Sequence, residues 1–149
     1  MKLAVILNQR KLSGRLTKIA TGCYAYHVAW VDETAGLMYD MHLIRRCRPW
    51  PHYPEAQVIL FDVPQVTREY LEHKNRTDDS KYGVLDYCLF AIRPLFHLFG
   101  MSTRNAGGII CSEMINNDMI ACGVTTPWAI SDAPPSPCDI LRWKLRETE

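Results

Sequence analysis

Tyr24-Ala25-Tyr26-His27-Val28-Ala29-Trp30-Val31-Asp32, followed by Glu33-Thr34-Ala35-Gly36 and then by Leu37-Met38-Tyr39-Asp40-Met41-His42-Leu43-Ile44, reads as a strand, a turn and a returning strand. The first nine residues are β-prone and alternate, Tyr24, Tyr26, Val28 and Trp30 against Ala25, His27, Ala29 and Val31, which suits a half-buried or fully buried strand. Gly36 supplies the permissive φ that a hairpin turn needs, so Leu37–Ile44 is expected to pair back onto Tyr24–Asp32. With side chains alternating, Asp40 and His42 then share one face.

Lys2–Leu7 is a short apolar run fit for a buried strand, and Gln57–Val63 reads as another. Between the hairpin and the latter, Cys47-Arg48-Pro49-Trp50-Pro51-His52-Tyr53-Pro54 holds three prolines in six residues and is expected to be an irregular crossing. A short polar helix fits Gln65 to Lys74, ended by a charged turn from Asn75 to Lys81. Tyr82, Leu85, Leu89, Ile92, Phe96 and Phe99 recur at three- and four-residue intervals, one apolar stripe on a helix that Pro94 bends or ends early. After the flexible Asn105-Ala106-Gly107-Gly108, the spacing predicts a helix over Ile109–Ala121 with Ile110, Met114, Ile115 and Met119 inward, Asn116, Asn117 and Asp118 outward, and Gly123 as its C-terminal cap. Ser136-Pro137-Cys138-Asp139 combines an N-cap, Pro at the first helical position and an acid three residues after the cap, opening a last helix to about Arg146. Strands and helices together predict an α+β fold.

The 149 residues, 48% hydrophobic and 22% charged, suffice for one domain with its own core, spanning 1–149. A formal net charge of +1 lacks the electrostatic footprint of a nucleic-acid binder. The five apolar residues after Lys2 are too few for a secretory signal. Tyr87 to Met101, the longest apolar region, is broken by Arg93, Pro94 and His97 and too short to span a bilayer, so no transmembrane segment is expected. A cytoplasmic protein is the resulting expectation, and its small size also suits a phage-encoded or virion-associated one. In that reducing compartment all six cysteines, Cys23, Cys47, Cys88, Cys111, Cys122 and Cys138, are expected to be free thiols.

Chemistry concentrates on three residues. Cys111 falls at the expected first turn of a helix, where backbone N–H groups and the helix dipole stabilise a thiolate and can also donate to an oxyanion. His27, on a rigid strand, is the candidate base or ion-pair partner. Asp40, across one turn on the neighbouring strand, is the candidate acceptor that holds the imidazole tautomer, with His42 as the alternative. Taken one at a time, each has a plainer reading: a buried inert thiol, a hydrogen-bonded core histidine, a solvated acid.

The segment Leu16–Asp32, with Tyr26-His27 inside it, resembles the opening of the circularly permuted NlpC-like hydrolases. These form the papain-fold branch that includes YiiX-type proteins and relatives of lecithin retinol acyltransferase. Leu37-Met38-Tyr39-Asp40-Met41 is similar to the strand carrying that family's third polar residue, and Lys81-Tyr82-Gly83-Val84-Leu85 to its helix entry. Ile110-Cys111-Ser112-Glu113-Met114-Ile115 resembles its Cys-Ser-Glu nucleophile motif, and Ser136–Leu141 its closing helix. The resemblance runs from about residue 13 to 142. It implies a permuted papain-like fold, a small antiparallel sheet or half-barrel against helices with the nucleophile at a helix N-terminus. The implied activity is that of a cysteine peptidase, amidase or acyl transferase with a Cys111-His27-Asp40 triad, no cofactor and no metal. Its substrate would be a peptide or acyl compound, cell-wall peptidoglycan among the candidates. Ser112 and Glu113 are assigned to the helix start rather than to catalysis.

Three other readings stay open. Cys23, His27, His42 and Cys47 could be combined into a zinc site, although their spacing lacks a Cys-x-x-Cys knuckle. Arg45, Arg46 and Arg48 beside Trp50, His52 and Tyr53 could serve a nucleic-acid-binding module. The same fold could also persist as a catalytically inactive interaction domain.

Overall fold

The computed structural model describes residues 1–7, 22–41, 44–54, 57–78, 110–128 and 134–147. They form an α+β arrangement: a five-stranded antiparallel sheet and, among the described residues, three helices. The strands are β1 (Lys2–Leu7), β2 (Ala25–Asp32), β3 (Leu37–Met41), β4 (Arg45–Pro49) and β5 (Val58–Asp62), in the spatial order β4-β3-β2-β1-β5. The helices are α1 (Arg68–Thr77), α2 (Cys111–Ala121) and α3 (Pro137–Glu147). The apolar stripe over Tyr82–Phe99 lies outside the described residues, as does His42. No helix among the described residues is long and apolar enough to cross a membrane.

β1 lies inside the sheet between β2 and β5, which explains its unbroken apolar run: Leu3, Ala4, Val5 and Ile6 are all fully buried. The β2–β3 hairpin pairs Trp30 with Tyr39 and Asp32 with Leu37. Asp32 Oδ1 accepts from Ala35 N at 3.0 Å, and Gly36 takes the left-handed φ of +64° that closes the turn. One irregularity matters for function. Ile6 pairs with His27 and Leu7 with Ala25, so Tyr26 is the extra residue of a β-bulge immediately before His27. Bulges re-aim the neighbouring side chain, and here that side chain is the imidazole.

Cys47–Pro49, expected to open an irregular crossing, instead belongs to the strand Arg45–Pro49. It pairs with β3 through Met41–Arg45, Tyr39–Cys47 and Leu37–Pro49, and occupies the edge of the sheet, where a proline is tolerated because only one ladder must form. The register also pairs Asp40 with Arg46 and Met38 with Arg48, so these four residues lie on one face. Tyr39 and Met41, from the alternate set, join Val28 and Trp30 and the α2 and α3 residues Met114, Ile115, Met119, Ile140 and Leu141 in the larger core.

Each helix is fixed by local signals. Thr67 caps α1 through Tyr70 N→Thr67 Oγ1 at 3.3 Å, so the helix starts later than Gln65. Gly123, with φ +79°, ends α2, while Val124 N bonds Met119 O at 2.9 Å. α3 opens with a reciprocal cap, Ser136 N→Asp139 Oδ2 at 2.9 Å and Asp139 N→Ser136 Oγ at 3.0 Å. Two further sequence expectations change. Asn116 and Asp118 face inward, not outward: Thr126 Oγ1 donates to Asn116 Oδ1, and Asp118 is met by Trp30, Arg45 and Tyr70. Nor are all six cysteines free, because Cys23, just before β2, is disulfide-bonded to Cys138 on α3 with their Cα atoms 6.0 Å apart.

Candidate active site

Cys111 is the first residue of α2, with Ile110 in extended conformation before it. The opening of this helix is pinned by Ser112, whose hydroxyl donates to Pro135 O at 2.6 Å, consistent with a structural part for that serine. Cys111 is 5% exposed, and its sulfur and the imidazole of His27 lie close enough for each to bias the ionisation of the other. The backbone amides of Val28 and Ser112 also favour charge on this sulfur. β2 therefore sets two groups that favour charge on the sulfur, one ring and one amide, on consecutive residues beside the bulge.

The other side of the ring is held by Asp40. His27 Nε2 and Asp40 Oδ2 are 3.1 Å apart, both residues being buried. With Nε2 engaged by the carboxylate, Nδ1 is the nitrogen left for the sulfur, and the line Cys111–His27–Asp40 is continuous from α2 through β2 to β3. Sequence reasoning had named all three, and the structure brings them together.

It had not named what holds Asp40. Arg46 Nε donates to Asp40 Oδ1 at 3.0 Å, and Arg48 Nη2 donates to Asp40 Oδ2 beside the histidine. The same Nη2 reaches Tyr53 Oη at 3.0 Å, with the guanidinium over the Tyr53 ring at 5.5 Å. Tyr53 in turn lies within the electrostatic reach of Tyr26, the bulge residue. The signal for the two arginines was their spacing, Arg46 and Arg48 two apart opposite Asp40, and the prolines around them concealed that this stretch was a strand.

Electrostatics follow from these contacts. Burial pushes the Cys111 thiol up, but the imidazolium charge, its hydrogen bond and the two amide donors outweigh burial and hold the thiol below its ordinary value. Burial pulls His27 down, yet the facing sulfur charge and the bonds to Asp40 and Cys111 raise it to about 10. Burial favours protonation of Asp40, but the bonds from His27 and Arg46 and the charges of His27 and Arg48 lower it to about 2. Each shift favours the charged form: thiolate for Cys111, imidazolium for His27 and carboxylate for Asp40.

The open alternatives lose members to other contacts. Cys23 is tied to Cys138, which removes it from the zinc ligand set. Arg45 is buried against Asp118 at 2.6 Å, and Arg46 and Arg48 are bound to Asp40, so all three guanidiniums of the basic stretch meet internal carboxylates. Comparison of the chain with protein-family models, with curated proteins and with solved structures returned no match.

Proposed function

We propose that the chain is a cysteine hydrolase of permuted papain-like type that cleaves an amide or related acyl bond, with Cys111 as nucleophile, His27 as proton carrier and Asp40 as the residue that orients His27. The observation that carries this reading is the series Cys111–His27–Asp40, in which His27 Nε2 meets Asp40 Oδ2 at 3.1 Å and each ionisation is biased toward the attacking form.

In the reaction, the Cys111 thiolate attacks the carbonyl carbon and the C=O electron pair moves onto oxygen. Backbone N–H groups in the first turn of α2 are the oxyanion donors in this reading. Collapse of the tetrahedral intermediate breaks the bond to the leaving group, which takes the proton of the His27 imidazolium, and a thioester remains on Cys111. The neutral imidazole then takes a proton from water as its oxygen attacks the thioester. The acid leaves, and the thiolate–imidazolium pair is restored. Asp40 keeps Nε2 protonated and the ring in place throughout.

The test is an electrophilic activity probe applied to wild type and Cys111→Ala, followed by a panel of cell-wall peptides, acyl esters and isopeptides. Labelling confined to residue 111 and turnover of one panel member are expected. Equal labelling of the free thiols in the native protein would defeat the proposal.

A further inference from the structure

Asp40 is a single carboxylate facing three cationic groups: His27 from β2 and Arg46 and Arg48 from β4. The charged and titratable groups around the pair, among the described residues, are Tyr26 on β2, Asp40 on β3, Arg46, Cys47 and Arg48 on β4, and Tyr53 in the segment after β4. Counting the ionised members gives Cys111 and Asp40 negative against His27, Arg46 and Arg48 positive, a surplus of one positive charge.

Arg48 is the connecting member. Its Nη2 bonds the same carboxylate oxygen, Oδ2, that faces His27 Nε2, and it also bonds Tyr53 Oη, whose partner Tyr26 lies within the field of Cys111. An oxygen divided between a guanidinium and an imidazole stabilises the imidazolium less than one held by the imidazole alone. A fixed guanidinium on the carboxylate oxygen that faces the ring also opposes protonation of the imidazole and, at longer range, of the thiolate it faces. We propose that Arg48, supported by Arg46, is the positioning residue that sets the pH range over which the Cys111–His27 ion pair exists. This rests on reading Cys111 and His27 as such a pair. Arg48 touches neither the sulfur nor the scissile bond; it acts through Asp40 and through charge.

The experiment needs no substrate. Full-length wild type, Arg48→Met, Arg48→Lys and Arg46→Gln are alkylated with iodoacetamide between about pH 4 and pH 11. The rate at residue 111 is read by peptide mass, and the His27 imidazole titration is followed by NMR. In Arg48→Met, both the acid limb of alkylation and the His27 titration should move to higher pH by about half to one unit. Arg48→Lys, which keeps the charge, should stay within about 0.2 unit of wild type. Arg46→Gln should move both in the same direction by less, because the Arg46 side chain is 37% exposed and more strongly screened.

A uniform loss of rate with unmoved limbs would assign Arg48 a merely structural part and overturn the proposal, as would equal shifts in the Met and Lys variants. Should Arg48→Met not fold, Arg46→Gln decides, and an unmoved profile there overturns the proposal. A wild-type residue 111 with no depressed acid limb would overturn the hydrolase reading and this one with it. A depressed limb that Arg48 variants leave in place overturns this one alone.

Discussion

Asp40 and Asp118 are both buried aspartates, and both are met by arginines of β4, yet they belong to different kinds of structure. Alternation along one edge strand divides the arginines: Arg46 and Arg48 go to Asp40 on one face, and Arg45 goes to Asp118 in α2. Asp118 also accepts from Trp30 Nε1 at 2.9 Å and Tyr70 Oη at 3.1 Å. None of these donors gives up its proton near neutrality, so the cluster acts as a permanent fastening of α2 and α1 onto β2 and β4. Asp40 instead has a histidine among its partners, and that histidine also faces a thiol. One proton that can move separates a fastening from a candidate site.

The largest expected effect lies on the fastening. Asp118→Ala leaves Arg45 buried without its closest carboxylate and should cost about 3–5 kcal/mol in denaturant unfolding. The folded fraction of that variant should still alkylate at Cys111 as wild type does; a specific loss of Cys111 reactivity would erase the distinction between the two clusters. Asp40→Asn should act the other way round, lowering acyl turnover by about a hundredfold through loss of ring orientation, with a smaller change in stability. Turnover that survives Asp40→Asn would remove Asp40 from the mechanism.

Stability against pH sharpens the contrast. His27 is raised in the folded state, so its contribution is complete below its unfolded value of 6.5 and fades as pH rises through about 10. Asp40 is lowered, so its contribution is complete above 3.8 and fades as pH falls through about 2. Denaturant midpoints across this range should form a plateau with two shoulders, and His27→Gln should remove the alkaline contribution of that residue. The smallest effect is that of Tyr70→Phe, which deletes one donor to Asp118 and should cost about 1 kcal/mol without altering Cys111 alkylation.

The parts of the molecule legible in the sequence are those decided by near neighbours. The β2–β3 hairpin was set by alternation and Gly36, and the start of α3 by Ser136 and Asp139, three residues apart. The candidate site residues were nominated by weaker local signals, a cysteine at a helix start and a histidine on a strand, joined to the resemblance of the segments that carry them. Arg45–Asp118 was not readable, because its partners are 73 positions apart and Asp118, like Asn116, looks like a solvent-facing polar residue until its distant partners are known. The clamp on Asp40 was hidden by a competing rule, since prolines at 49, 51 and 54 outweighed a two-residue alternation that only an edge strand could accommodate.

The bridge from Cys23 to Cys138, with a sequence separation of 115, closes most of the chain into a covalent ring that contains both His27 and Cys111. A protease cutting once at any point within that ring opens the loop but releases no fragment. The nicked molecule would keep its mass on a non-reducing gel and separate into pieces only after a dithiol is added.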